Sequence, residues 1–278
     1  MNLRKSKIAI KTALVVLLAV FFAVSTNATV PENERFVLVI DPGHGGHDKG
    51  TSGRKLHEKN VVLDVAKLLA KKVEQELKDS VKVILTRNDD TFIPLRERAE
   101  IANRASADLF VSIHVNSVSR KARNRRTIQG TSVYTLGLHK SEANLSVAMA
   151  KNAVIELEED FSEAYQGFDP NQSESYIIFE LTQNRHMEQS LEMASLAQHF
   201  LVDHAGRADR QVRQAGFLVL WATTMPSVLV ELDFMCNPNV ENFFATDKGK
   251  KQMAESLFMA VDAYRRLHPH REAREQAN

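Results

Sequence analysis

A continuous apolar run that breaks into a glycine-rich turn constrains this chain more than any other stretch. Phe36-Val37-Leu38-Val39-Ile40 is apolar and largely β-branched, which predicts a strand buried on both faces of an α/β sheet. Asp41-Pro42-Gly43-His44-Gly45-Gly46 follows at once. In open α/β sheets, ligands sit beyond the carboxyl ends of the strands. Glycines there let backbone and ligand approach closely. His44 at that place could be a metal ligand, an acid or base, or a turn residue.

The pattern then alternates. Val61, Val62, Val65, Leu68, Leu69, Val73 and Leu77 recur at helical spacing and predict an amphipathic helix over about 58–78. Glu58 opens it, where negative charge suits the helix dipole. A second strand is predicted at 81–87. A helix begins near Pro94, a residue suited to a first helical turn, and runs to about Ala105. A third strand at 108–113 leads into His114-Val115-Asn116. This βαβαβ order predicts a mostly parallel, twisted central sheet with helices on both faces. Gly130–Leu136 reads as a further strand, placed at an edge. A largely helical stretch over 141–205 interrupts the alternation as an insertion, and it carries the acidic residues Glu156, Glu158, Glu159 and Glu163. Gly216–Trp221 and Val228–Glu231 read as two more strands, followed by a closing helix near 248–267 and a polar, frayed tail from Pro269.

Before the first strand, Arg4, Lys5, Lys7 and Lys11 precede an uninterrupted apolar run from Ala13 to Val24. A membrane span needs roughly 20 apolar residues, so residues 1–28 read as a cleaved signal peptide rather than a retained anchor. The remainder, 29–278, reads as one exported catalytic domain. The net charge of +1 gives no global field for nucleic acid. The basic run Arg120–Arg126 reads as a solvated loop, with contact to an anionic polymer as the sharper alternative. Cys236 is the one cysteine, which excludes a disulfide framework and a cysteine-rich zinc module. It reads as a small buried side chain. Any metal site must therefore use His and carboxylate.

A parallel sheet brings strand ends to one rim. His44, Glu58 and His114 all fall there, and two imidazoles with one carboxylate are a catalytic zinc set that leaves a fourth position open. A metal so held lowers the pKa of water towards about 7. Glu231 ends a fully apolar strand, where a solvated role is implausible. It is placed to take a proton from the water and pass it to a leaving nitrogen, the alternative being a structural pair with Arg87 or Arg98. Asp41 and Asn116 are read as hydrogen-bonding supports of the turn and ligands. His47 and His57 are read as loop residues.

These residues carry a family resemblance. Ile40-Asp41-Pro42-Gly43-His44-Gly45-Gly46, Glu58-Lys59-Asn60, Leu85-Thr86-Arg87, Leu95-Arg96-Glu97-Arg98, Phe110–Ser117 and Val230-Glu231 together resemble the zinc-dependent N-acetylmuramoyl-L-alanine amidases of type 3. The resemblance implies one zinc ion on His44, Glu58 and His114, and Glu231 as acid/base. It implies peptidoglycan as substrate, cut at the amide between the lactyl group of N-acetylmuramic acid and L-alanine. The cleaved signal implies export, and a periplasmic location in a cell with an outer membrane. The run Glu231-Leu232-Asp233 departs from the family, which usually has Gly at the position of Asp233. The 141–205 insertion looks like that of the division amidases, where a helix covers the active site until an activator protein displaces it. Glu156, Glu158, Glu159 and Glu163 are the candidates for an autoinhibitory carboxylate, with an acidic solvated helix as the alternative. No wall-binding module is recognisable.

Overall fold

Alternation along one strand decides which side of the sheet carries the site. The computed structural model describes residues 35–138, 141–158, 163, 165, 167–181 and 186–270. The expected signal segment lies outside them. Strands β1 (Phe36–Pro42), β2 (Val81–Leu85), β3 (Leu109–Asn116), β4 (Thr131–Leu136), β5 (Asp209–Ala215) and β6 (Ser227–Phe234) form one sheet in the order β2-β1-β3-β6-β4-β5. All neighbours are parallel except β4 and β6. Successive side chains of a strand point to opposite faces. Phe36, Leu38 and Ile40 therefore enter one core with Val111, Ile113, Val228 and Val230, while Val37, Val39, Phe110 and Leu229 enter another. Asp41, His114 and Glu231 continue the second set, at the carboxyl ends of β1, β3 and β6.

Helices α1 (Glu58–Leu77), α2 (Leu95–Arg104), α3 (Glu142–Asn152), α4 (Ile178–Leu181), α5 (Met187–Asp203), α6 (Leu218–Trp221), α7 (Pro238–Phe244) and α8 (Asp247–Leu267) surround the sheet. The apolar stripes of α1, α5 and α8 pack on the first face; α2, α6 and the segment after α3 cover the second. Each fully buried Leu or Val contributes about 1.5–3 kcal/mol, so Leu69 and Val73 anchor α1 and hold Glu58 at the rim.

Four expectations change. β4 is not an edge strand; it lies between β6 and β5, and the edges are β2 and β5. The expected strand over 216–221 is one helical turn, α6, and the real strand is the preceding polar segment Asp209–Ala215. An edge strand needs no apolar alternation on its open side. The apolar 217–221 run instead has its backbone met by a side chain: Asn152 Oδ1 accepts from Leu218 N at 3.0 Å, and Asn152 Nδ2 donates to Gly216 O at 2.7 Å. The tail is also held further than expected, because His270 is buried with Nδ1 2.6 Å from Asp108 Oδ2. Cys236 is half-buried rather than fully buried.

Candidate metal centre

The turn after β1 is built around a ring and two arginines. A Cβ on Gly43 would collide with the imidazole of His114, so glycine alone lets β1 pass this close to the third strand's side chain. His44 then takes a left-handed backbone, φ 62°, which non-glycine residues adopt only when surroundings impose it. The imposing groups are the guanidinium of Arg98, whose Nη2 donates to His44 O at 2.8 Å and Nη1 to Pro42 O at 2.9 Å, and that of Arg87, which donates to Pro42 O at 2.9 Å and Gly43 O at 2.8 Å. Asp41 fixes Arg98 in turn through a 2.9 Å ion pair and accepts from Thr86 and Ser112 at 2.6 and 2.7 Å. Burial pushes the Asp41 carboxyl up, but Arg98 and the two hydroxyls outweigh it and hold it below its ordinary value.

Three donors converge here. His44 Nε2 lies 3.0 Å from Glu58 Oε1 and 3.2 Å from His114 Nδ1, and His114 Nδ1 lies 3.0 Å from the same carboxylate oxygen. All three side chains are buried, and their ligand atoms lie within 4.8 Å of one another. Glu58 is further fixed by Val115 N and Thr51 N, each at 2.8 Å. Burial opposes its charge, yet His44 and Lys151 hold the carboxyl well below the usual range. Burial and the nearby Lys151 charge push His114 down to about 4, so its imidazole is neutral and can donate a lone pair at neutral pH. His44 Nδ1 is 2.6 Å from Asp48 Oδ2, the carboxylate partner that metal-bound histidines commonly carry.

These residues fit a cation, because the structure already places one among them. Lys151 Nζ, on α3, sits 2.6 Å from Glu58 Oε1, 3.1 Å from Val115 O and 3.6 Å from Glu231 Oε1. Burial disfavours its charge, but Glu231 and Glu58 raise its pKa above the ordinary lysine value. Its ammonium stands against the carboxylate oxygen that both imidazoles approach.

Glu231 pairs in register with His114 across β6 and β3 and is fully buried. Among the described residues, neither of its oxygens has a hydrogen-bond partner. Burial raises its pKa; Lys151 pulls it back and the Glu58 charge raises it again, leaving it above the carboxylate range. Arg87 and Arg98, the sequence rivals for pairing with it, are both engaged at the turn.

The sequence-predicted supports divide. Asp41 holds the turn as described. Asn116 instead accepts from its own neighbour Ser117 N at 2.7 Å, and no contact to His44, Glu58 or His114 is seen. Glu156 accepts from Asn171 on the surface, Glu158 accepts from Leu95 N at 2.8 Å and Tyr165 at 2.9 Å, and Glu163 is exposed. None of these three meets the donor set, and Glu159 lies outside the described residues. His47 is exposed against Phe92, and His57 is 2.8 Å from Ser52. Sequence reasoning missed Asp48 and Lys151. The signals were an acid four residues after the turn histidine and a Lys-Asn pair inside the otherwise apolar run 147–155.

Comparison with known proteins agrees with this geometry. Residues 38–263 match the family model described as N-acetylmuramoyl-L-alanine amidase. The chain is 34% identical over 230 residues to the amidase AmiA of Escherichia coli K12, covering 82% of this chain and 75% of that protein. It is 33% identical over 232 residues to AmiC of Escherichia coli O6:H1, covering 82% of this chain. The chain spans about half of AmiC, 52% of its length. Among solved structures, an N-acetylmuramoyl-L-alanine amidase of Clostridium difficile 630 superposes with a TM-score of 0.61 at 27% identity, covering 83% of this chain and 97% of that one. AmiC2 of Nostoc punctiforme gives 0.59 at 28%, with the same coverage. Fold, donor set and sequence together place the chain in the N-acetylmuramoyl-L-alanine amidase family.

Proposed function

We propose that the chain is an exported zinc amidase that hydrolyses the amide between the lactyl group of N-acetylmuramic acid and L-alanine in peptidoglycan, in wall remodelling or daughter-cell separation. The carrying observation is Glu231: a buried carboxylate whose oxygens accept no hydrogen bond from the described residues, set in register with His114 beside the three donors. His44, Glu58 and His114 would hold the ion. When bound, zinc supplies Lewis acidity, polarising the scissile carbonyl and acidifying water. Glu231 takes the proton of the attacking water, and its raised pKa lets it hold that proton and hand it to the alanine nitrogen as the C–N bond breaks. Asp48 keeps His44 in one tautomer and orientation. Arg87, Arg98 and Asp41 hold the turn. Family membership supports the bond cleaved; the positive n-region and short apolar run support export and, in a cell with an outer membrane, a periplasmic location.

The 141–205 segment acts as a regulatory cover that an activator protein relieves. Support comes from Lys151, which reaches from α3 of that segment into the donor set. Deleting about 151–180 is expected to raise turnover, and no rise in a folded deletion variant counts against the cover.

The test of the activity is release of intact stem peptides from purified peptidoglycan, with and without zinc, alongside Glu231→Gln. Zinc-dependent release that vanishes in the variant supports the amidase. Release of single amino acids instead would identify a stem-peptide carboxypeptidase.

A further inference from the structure

One face of the sheet runs sideways from Glu231 to an arginine that has no acidic partner among the described residues. Glu231 lies opposite Ser132 on β4. Two residues along the same strand, and so on the same face, Tyr134 lies opposite Arg213 on β5. With strands about 4.8 Å apart and a two-residue step of about 6.6 Å, the Cα atoms of Glu231 and Arg213 are roughly 12 Å apart.

Arg213 is held by neutral partners only. Its Nε donates to Arg210 O at 2.7 Å and its Nη1 to Asn144 Oδ1 at 2.8 Å. Arg210 lies 5.1 Å from the ring centre of Phe234. Both arginines are half-buried, and among the described residues neither forms an ion pair with a carboxylate. They line a cleft of about 940 Å³ that also reaches His44, Glu58 and Lys151. Its acidic lining residues, Asp48 and Glu58, are both at the metal end, while Arg120 and Arg125 add further positive charge along the cleft. Arg125 is itself fixed, with Nη1 donating to Val118 O at 2.6 Å.

We infer that Arg213, with Arg210 beside it, is the subsite for the nearest carboxylate on the peptide side of the scissile amide, carried by the second residue of the stem. The inference rests on the amidase reading. Once its lactyl group is amidated, the sugar side of the bond carries no carboxylate, so negative charge that meets this end of the cleft belongs to the peptide. An extended peptide advances about 3.3–3.6 Å per residue, which brings a residue just beyond alanine towards the guanidinium. Arginine is suited to the task because its planar fork grips a carboxylate with two parallel hydrogen bonds.

The test uses the zinc-loaded chain and two synthetic muramoyl tripeptides that differ only at the second residue, one with a free carboxylate and one with a carboxamide. The intact enzyme is expected to favour the carboxylate form at least tenfold in kcat/KM, mainly through KM. Arg213→Gln brings the ratio close to one, and Arg213→Lys restores part of it. Thermal melting checks that each variant is folded, and Arg210→Gln provides a second, smaller reduction of the ratio. Equal turnover of both forms by the intact enzyme, or an unchanged ratio in folded Arg213→Gln, overturns the subsite. Calorimetric binding of both tripeptides to Glu231→Gln separates the two readings. If neither tripeptide is cleaved, by the intact chain or by a folded 151–180 deletion variant, but binding still favours the carboxylate and needs Arg213, the subsite stands and the amidase reading falls. If binding shows no preference, the subsite falls.

Discussion

Lys151 Nζ lies 2.6 Å from Glu58 Oε1, the same oxygen that stands 3.0 Å from both His44 Nε2 and His114 Nδ1. Two cations drawn to one carboxylate oxygen repel each other at such short range, so the lysine and the metal compete. In Lys151→Met the metal is expected to bind roughly tenfold to a hundredfold more tightly, read by competition with a chromophoric chelator. The metal-free variant should lose stability, because breaking a buried ion pair from one side costs about 3–5 kcal/mol. The melting shift on adding zinc should therefore be wider than in the parent chain. Unchanged zinc affinity would remove the competition.

Glu231→Gln keeps the shape and removes the proton acceptor. Peptide release is expected to fall about 10²–10⁴-fold, the usual contribution of a positioned acid/base. Zinc stoichiometry by atomic absorption should stay at one per chain. Loss of metal along with activity would instead make Glu231 a ligand.

Asp48 fixes His44 from behind at 2.6 Å. Asp48→Asn is expected to weaken zinc binding by about 10–100-fold, as loss of such partners usually does, with the fold intact by circular dichroism.

The Asp41–Arg98 pair gives a pH dependence of stability. The folded carboxyl of Asp41 sits below its ordinary value, despite burial, because Arg98, Thr86 and Ser112 favour its charge. A depressed carboxyl contributes stability above its unfolded pKa, and that stability is lost as pH falls through the folded value. Denaturant midpoints should thus drop as pH falls below about 4. Asp41→Asn should be less stable at pH 7, by about 3–5 kcal/mol for leaving Arg98 buried and unpaired. Its midpoint should change less over the same acid range. An equal acid loss in both proteins would assign it to other carboxylates.

Much of this centre is legible in sequence because the fold supplies the missing dimension. A parallel βαβαβ unit brings the ends of β1 and β3 and the start of α1 to one rim, so His44, Glu58 and His114 can be grouped although they are far apart in the chain. Glu231 stands out because three apolar residues, Val228, Leu229 and Val230, lead straight into it. What stays hidden depends on contacts that no periodicity records. Lys151 projects from a helix that reads as ordinary, and its place follows from how α3 packs over the rim. Asp209–Ala215 carries no strand signal because an edge strand lacks apolar alternation, while the apolar 216–221 run reads as strand although Asn152 satisfies its backbone from the side. The acidic residues of the insertion stood out by charge alone, and charge does not fix direction: Glu156 and Glu158 turn to Asn171 and Leu95.

The left-handed turn at His44 depends on donors from elsewhere, Arg87 just past β2 and Arg98 in α2. The short stretch from Asp41 to Glu58 therefore does not encode its own shape. Grafted into another protein it would carry both ligands and lose their arrangement, since the guanidinium groups that bend it would be left behind. The portable unit for the three ligands is the whole of residues 36–116, two crossovers long, and a designer wishing to borrow this donor set would have to move three strands to keep one histidine in place.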